Sequence, residues 1–185
     1  MTIKMMLAGA AALALLSAPA TAQMTGSMTA AEAGVSPLTG TSATDYVKLA
    51  ADSDRFEIES SRIAAMKSKR EDVKGFAKQM IQDHTTTTKS LMAALNNADR
   101  KIATPSTTLS ADKAAKIALL KKAPKASFDQ IYLQQQLEAH QSAWALHKGY
   151  ATEGTDAALK QVAATAVPVI EQHFGHVKAL AGSSM

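Results

Sequence analysis

The chain has 185 residues, a formal net charge of +4 at neutral pH and no cysteine. Without cysteine it has no disulfide, no thiolate metal site and no cysteine nucleophile. Its basic residues are scattered and are not interleaved with aromatic residues, which argues against a nucleic-acid partner.

The N-terminus has the pattern of a secretory signal peptide. Lys4 precedes the apolar run MMLAGAAALALLSA, which is too short to span a bilayer comfortably, and small residues at 20–22 offer a cleavage site. Residues 1–22 are therefore predicted to be removed from a periplasmic or secreted protein, with retention as an N-terminal anchor as the alternative. Residues 23–43 are rich in Ser, Thr, Ala and Gly and are predicted to form a flexible linker.

From residue 44 onward, apolar residues recur at intervals of three and four, which is typical of amphipathic helices. Long helices are predicted over residues 45–68, 71–97, 128–151 and 156–180. The connection between the second and third contains a shorter helix, ADKAAKIALLKK, with Ser110 as its N-cap. Short connections elsewhere favour antiparallel neighbours. Residues 44–182 are therefore predicted to fold as an all-α, antiparallel four-helix bundle.

Polar residues within the apolar stripes are informative, because buried polar groups need partners. Each long helix directs one side chain able to bind a metal inward near its midpoint, and these are Glu57, His84, His140 and His173. Helix midpoints lie at similar depth in an antiparallel bundle, so these groups are predicted to converge. Three further residues are predicted to support them: Asp83, Asp129 and Gln136.

Three imidazoles and one carboxylate suit a single transition-metal ion such as Zn, Cu, Fe or Mn. The alternative is a metal-free network in which Glu57 pairs with a histidine and the buried hydrogen bonds fix helix packing. His147 and His176 are predicted to lie at the periphery of the set. No catalytic residue and no residue that binds an organic cofactor is predicted.

Four stretches carry a resemblance to a known family: RFEIESSRIA, VKGFAKQMIQDHT, ASFDQIYLQQQLEAH and VPVIEQHFGHVKAL. The chain resembles the bacterial family called domain of unknown function 4142, whose members are described as exported or membrane proteins with a ferritin-like helical fold. The family pattern falls on Glu57, Asp83-His84, Phe128-Asp129 with His140, and Pro168 with His173. The resemblance implies a ferritin-like bundle and, by analogy only, one that holds metal.

The sequence departs from the di-iron pattern of ferritin-like proteins, in which two helices each carry Glu three residues before His. The residues three before His84, His140 and His173 are Ile81, Leu137 and Ile170. The bridging carboxylates are therefore missing, which disfavours ferroxidase chemistry. A non-enzymatic role in envelope metal handling or stress tolerance is the expectation.

The segment AAKIALLKKAPK is the one stretch that suggests a further contact. Its mixture of basic and apolar residues suits a membrane surface, and it suits equally a connector packed on the bundle. The sequence identifies no partner protein and no oligomeric state.

Overall fold

The computed structural model describes residues 27–96 and 101–183. The predicted signal peptide and the first residues of the predicted linker lie outside these ranges. Within them the fold is all-α, with six helices and no strand. The helices are α1 (Ala30–Ala33), α2 (Ala43–Lys67), α3 (Glu71–Leu95), α4 (Ala111–Lys122), α5 (Phe128–Glu153) and α6 (Ala157–Gly182).

The four long helices α2, α3, α5 and α6 correspond to the four predicted ones, and each end falls within about two residues of its prediction. Local capping explains two of the starts. The Ser42 hydroxyl accepts the backbone N–H of Asp45, and the Asp156 carboxylate accepts that of Leu159. Ser110 is the N-cap residue of α4, as predicted, but its hydroxyl makes no capping hydrogen bond and donates instead to Asp52 Oδ2 at 2.7 Å.

The long helices pack in a closed cycle, in which α2 contacts α3 and α5, and α6 contacts α5 and α3. Their apolar faces form two main clusters. One contains Phe56, Phe76, Met80, Tyr132 and Phe174, and the other contains Tyr46, Leu91, Leu146, Tyr150 and Leu159. His84 lies between Met80 and Leu91 along α3. The polar residues of interest therefore occupy a layer between two apolar clusters.

The predicted short helix packs on the long helices as a connector. Ile117 and Leu120 of α4 are buried in the larger apolar cluster. Lys113 and Lys116 flank them and pair with Asp52 at 2.9 Å and Glu138 at 2.8 Å. The apolar face of α4 therefore packs against the long helices.

Residues 27–42, which fall in the predicted linker, lie against α5. Ala33 is buried, and the Leu38 N–H donates to the Ala145 carbonyl at 2.8 Å. Gly149 permits this approach, because a Cβ there would lie 1.8 Å from the Leu38 carbonyl oxygen. In the described part of the chain, no helix combines the length and apolarity needed to cross a membrane.

One apolar residue of α2 is exposed although it follows the three-and-four spacing of the buried face. Leu49, three residues after the buried Tyr46, is 39% exposed. It lines a cavity together with Leu38, on the side where α2 faces the N-terminal segment and α4. The inward stripe of α2 is therefore narrower at this turn than three-and-four spacing predicts.

Candidate metal centre

Four helices each bury one of the predicted side chains in the polar layer. Glu57 on α2, His84 on α3, His140 on α5 and His173 on α6 are each 5% exposed or less. The three histidines lie on the inner faces of their helices beside buried apolar neighbours three or four residues away, Met80, Trp144 and Ile170. The neighbours of Glu57 at the same spacings are also buried but are polar: Ser53, Asp54, Ser60 and Ser61. The three predicted histidines therefore all point into the same buried layer.

The three imidazoles form a nearly equilateral triangle. Ring centroids are 6.0 Å apart for His84 and His140, 5.6 Å for His84 and His173, and 5.6 Å for His140 and His173. One nitrogen from each ring lies within 4.8 Å of a nitrogen from each of the others. Donors on a tetrahedral ion with bonds of about 2.05 Å are about 3.4 Å apart, so only small side-chain shifts separate this triangle from a ligand set.

Each imidazole is oriented by an acceptor on one of its nitrogens. His84 Nδ1–H donates to Asp54 Oδ1 at 2.8 Å, and His140 Nδ1–H donates to the Gln136 carbonyl at 2.7 Å. His173 uses the other nitrogen, with Nε2–H donating to Asp83 Oδ2 at 2.9 Å. Carboxylates and carbonyls only accept, so these contacts fix which ring nitrogen carries the hydrogen.

The opposite nitrogen of each ring has no hydrogen-bond partner among the described residues. These atoms are His84 Nε2, His140 Nε2 and His173 Nδ1, and all are buried. Buried polar atoms are normally satisfied, so three unpaired lone pairs in one layer need an explanation. An imidazole held by an acceptor on one nitrogen and free on the other is the usual state of a histidine metal ligand.

Glu57 lies beside the triangle. Its Oε1 is 3.9 Å from His140 Nδ1, and neither carboxylate oxygen has a hydrogen-bond partner in the described ranges. The neighbouring Gln136 amide donates to Ser60 Oγ at 3.1 Å, and Gln136 and His84 offset the burial of the Glu57 carboxylate only in part. Glu57 approaches the triangle at His140 Nδ1, the nitrogen opposite the unpaired Nε2. Among the described residues, the donor atoms that lie within 4.8 Å of one another come from the three histidines and do not include Glu57.

Burial dominates the electrostatics of the centre. Burial raises the pKa of Glu57 to about 7, and the electrostatic attraction of His84, which lowers this pKa, is the smaller effect. Burial lowers the pKa of His140 to about 3, an effect that His84 reinforces, so His140 is neutral at pH 7 and its contact with Glu57 is no ion pair. Burial also lowers the pKa of His173, and the hydrogen bond that His173 donates to Asp83 offsets only part of this effect.

His84 behaves in the opposite way. Burial disfavours its charged form, but the hydrogen bond to Asp54 and the charges of Asp54 and Glu57 outweigh burial and raise its pKa. Metal binding at His84 would therefore compete with a proton. The centre combines one basic imidazole with two that burial keeps neutral.

The structure places the three predicted supporting residues differently. Asp83 contacts His173 through its carboxylate, and Gln136 contacts His140 through its backbone carbonyl. Asp129 lies in the first turn of α5, eleven residues before His140, which is about 16 Å along the helix axis. It is therefore not brought to the centre.

Asp54 is the supporting residue that sequence reasoning missed. It is 6% exposed and accepts hydrogen bonds from the His84 ring and from the hydroxyls of Thr87 and Thr88. Its position three residues before Glu57 puts both carboxylates on neighbouring parts of one helix face. That spacing was the signal available in the sequence.

The other two histidines take no part in the triangle. His147 is buried, and its Nδ1 lies 3.1 Å from the Tyr46 hydroxyl. His176 is exposed and meets the edge of Phe76. The exposed position of His176 agrees with the prediction that it is peripheral. His147 is not part of the triangle, but it is buried in the core and not at the periphery.

Fold and centre together define an all-α protein with a buried network of histidines and carboxylates. Over residues 26–180 the chain matches the family described as Domain of unknown function (DUF4142), and it belongs to that family. The resemblance carried by the four sequence stretches is thereby confirmed. No curated protein and no solved structure matches the chain.

Proposed function

We propose that the chain is an exported, ferritin-like four-helix bundle that binds one divalent transition-metal ion in its core. The proposed ligands are Glu57, His84, His140 and His173. The proposed role is metal handling or stress tolerance in the cell envelope, after removal of residues 1–22. Supporting residues are Asp54, Asp83 and the backbone of Gln136.

One observation carries the proposal. The three imidazoles each have one nitrogen held by an acceptor, and their remaining nitrogens are buried and unpaired in the described ranges. A network built only for packing would be expected to pair those lone pairs with donors, since an unsatisfied buried acceptor costs about 1–3 kcal/mol. A cation placed among them satisfies all three.

The donor set indicates the kind of ion. Three imidazole nitrogens and one carboxylate oxygen suit Zn, Fe, Mn or Cu better than Ca or Mg, which prefer oxygen. A single carboxylate beside the triangle provides no bridge for a second ion. All four proposed ligands, one on each long helix, are buried. We therefore favour retention of the ion as the role of the site, and not catalysis.

A second candidate function is a metal-free network that fixes helix packing. It is favoured by the bonds that already join helices, from His84 and two threonines of α3 to Asp54 on α2, and from His173 on α6 to Asp83 on α3. In this alternative, removal of either carboxylate would destabilise the fold whether or not metal is supplied.

Thermal melting with and without a strong chelator separates these functions. The experiment uses full-length protein purified without a histidine tag, with Zn²⁺ added back to about 100 times its Kd, where bound ligand contributes about 2.7 kcal/mol. We expect the chelator to lower Tm and Zn²⁺ to restore it. The variant His84→Ala/His173→Ala should lose this response, and the matched control His176→Ala should keep it. Equal Tm values for the wild type under all three conditions would reject the metal site.

A further inference from the structure

A cavity of about 260 Å³ lies between α3 and α6, beside the metal centre. Its walls include hydroxyl and amide side chains, among them Thr86, Thr165 and Gln172, together with apolar residues such as Leu91. The lining also includes two carboxylates, Asp54 and Asp83, and the imidazole of His147. The cavity is thus large enough for several water molecules and has oxygen atoms on both helices.

Direct hydrogen bonds join this cavity to the centre. Asp54 binds the ring of His84 at 2.8 Å, and Asp83 binds the ring of His173 at 2.9 Å. The Asp83 side chain is 31% exposed, whereas the His173 side chain is fully buried. One side chain therefore separates solvent in the cavity from an imidazole of the triangle.

The charge of the lining favours cations. Among the described residues that border this cavity there are two carboxylates and no lysine or arginine. A cavity of similar size between α2, α4 and α5 has two lysines, Lys113 and Lys116, and two carboxylates, Asp112 and Glu138, in its lining, so its formal charge is balanced. A cleft lined by one sign of charge concentrates ions of the opposite sign and speeds their association.

We infer that the cavity between α3 and α6 is the route by which a divalent cation reaches and leaves the buried triangle, with Asp83 as its first protein contact. This inference rests on the proposed metal site. Oxygen atoms of the cavity walls replace part of the cation's hydration shell along the route. Asp83 then holds the cation next to the ring of His173.

The test is stopped-flow measurement of Co²⁺ binding and release, followed by the visible absorption of the protein-bound ion. Thr86→Lys adds a positive charge to the lining, and Thr165→Trp narrows the cavity. Both positions are exposed and lie outside the ligand set. Ser142→Lys is the matched control, since Ser142 is exposed and lines the cavity that contains Lys113 and Lys116.

We expect Thr86→Lys to slow Co²⁺ association by roughly three- to tenfold at low ionic strength, and by less in high salt. Thr165→Trp should slow association and release by the same factor and leave Kd unchanged, because a route residue does not contact the bound ion. Slower association in either variant relative to Ser142→Lys supports the route.

The inference is overturned if the wild type binds Co²⁺ and neither variant differs from the control. Failure of the wild type to bind Co²⁺ at all rejects the proposed function itself, and the route falls with it. Circular dichroism of each variant establishes that it is folded, and the exposed Thr86→Lys keeps the test decisive if the larger tryptophan disturbs α6.

Discussion

Among single residues, Glu57 is a carboxylate whose charged form is disfavoured by burial. Its folded-state pKa of about 7 lies above the ordinary value of 4.5. The folded, metal-free protein therefore holds this proton more tightly than the unfolded chain does. The resulting stability is complete below about pH 4.5 and is lost as pH rises through 7.

Glu57→Gln should consequently have opposite effects with and without metal. In chelator at pH 8, removal of the buried charge should stabilise the protein by up to about 3 kcal/mol, and the gain should vanish near pH 4.5. With Zn²⁺ present, loss of a ligand should lower stability instead. Urea denaturation in chelator and in Zn²⁺ measures both effects, and a destabilised variant under both conditions would favour the packing network.

His147 provides a separate prediction about acid sensitivity. Burial lowers its pKa from 6.5 to about 4, so the unfolded chain binds the proton more readily than the folded one. Its contribution to stability is present above pH 6.5 and is lost as pH falls towards 4. At pH 5 that loss is about 2 kcal/mol.

His147→Gln should therefore reduce the stability difference between pH 7 and pH 5 by about 2 kcal/mol. Urea denaturation of chelated protein at both pH values measures this difference. The control His176→Gln changes an exposed histidine and should leave the difference as in the wild type. An unchanged pH dependence in His147→Gln would contradict the assigned effect of burial.

At the scale of elements, the N-terminal segment and α5 meet at a glycine. Gly149 has the Leu38 backbone against it, whereas Gly175, also inside a helix, has nothing within 4 Å of an added Cβ. Gly149→Ala should displace the segment and cost about 1–3 kcal/mol. Gly175→Ala should gain up to about 1 kcal/mol from helix propensity.

Urea denaturation compares the two alanine variants, and limited proteolysis reports release of residues 27–42 in Gly149→Ala. The comparison is matched, because both changes add one methyl group to a helix interior. Equal stability of the two variants, with unchanged proteolysis, would show that the position of residues 27–42 does not depend on the close contact at Gly149.

The helices were predictable because three-and-four spacing of apolar residues is a local property. The inward direction of His84, His140 and His173 followed from the same spacing. Two features depended on neighbours that the sequence does not reveal. Asp54 was missed because its partners lie on another helix, and the Ser110 hydroxyl binds Asp52 of α2 instead of its own helix.

For the whole molecule, the proposed metal site predicts that retention of the ion depends on pH. Protons compete with metal for imidazole, so acidification weakens a site of this composition. The Zn²⁺-dependent rise in Tm should therefore shrink between pH 7 and pH 5. Thermal melting with Zn²⁺ and with chelator at each pH measures this rise in Tm. A rise in Tm that is constant between pH 7 and pH 5 would contradict ligation by histidine.

The coordination shell of the bound ion tests the central claim most directly. X-ray absorption spectroscopy of full-length, untagged protein loaded with one equivalent of Co²⁺ resolves scattering from imidazole rings. We predict about three imidazoles and one oxygen donor from carboxylate at about 2.0–2.2 Å, with loss of the ring scattering in His84→Ala/His173→Ala. A shell of oxygen donors alone in the wild type, or no retained ion, would contradict the account.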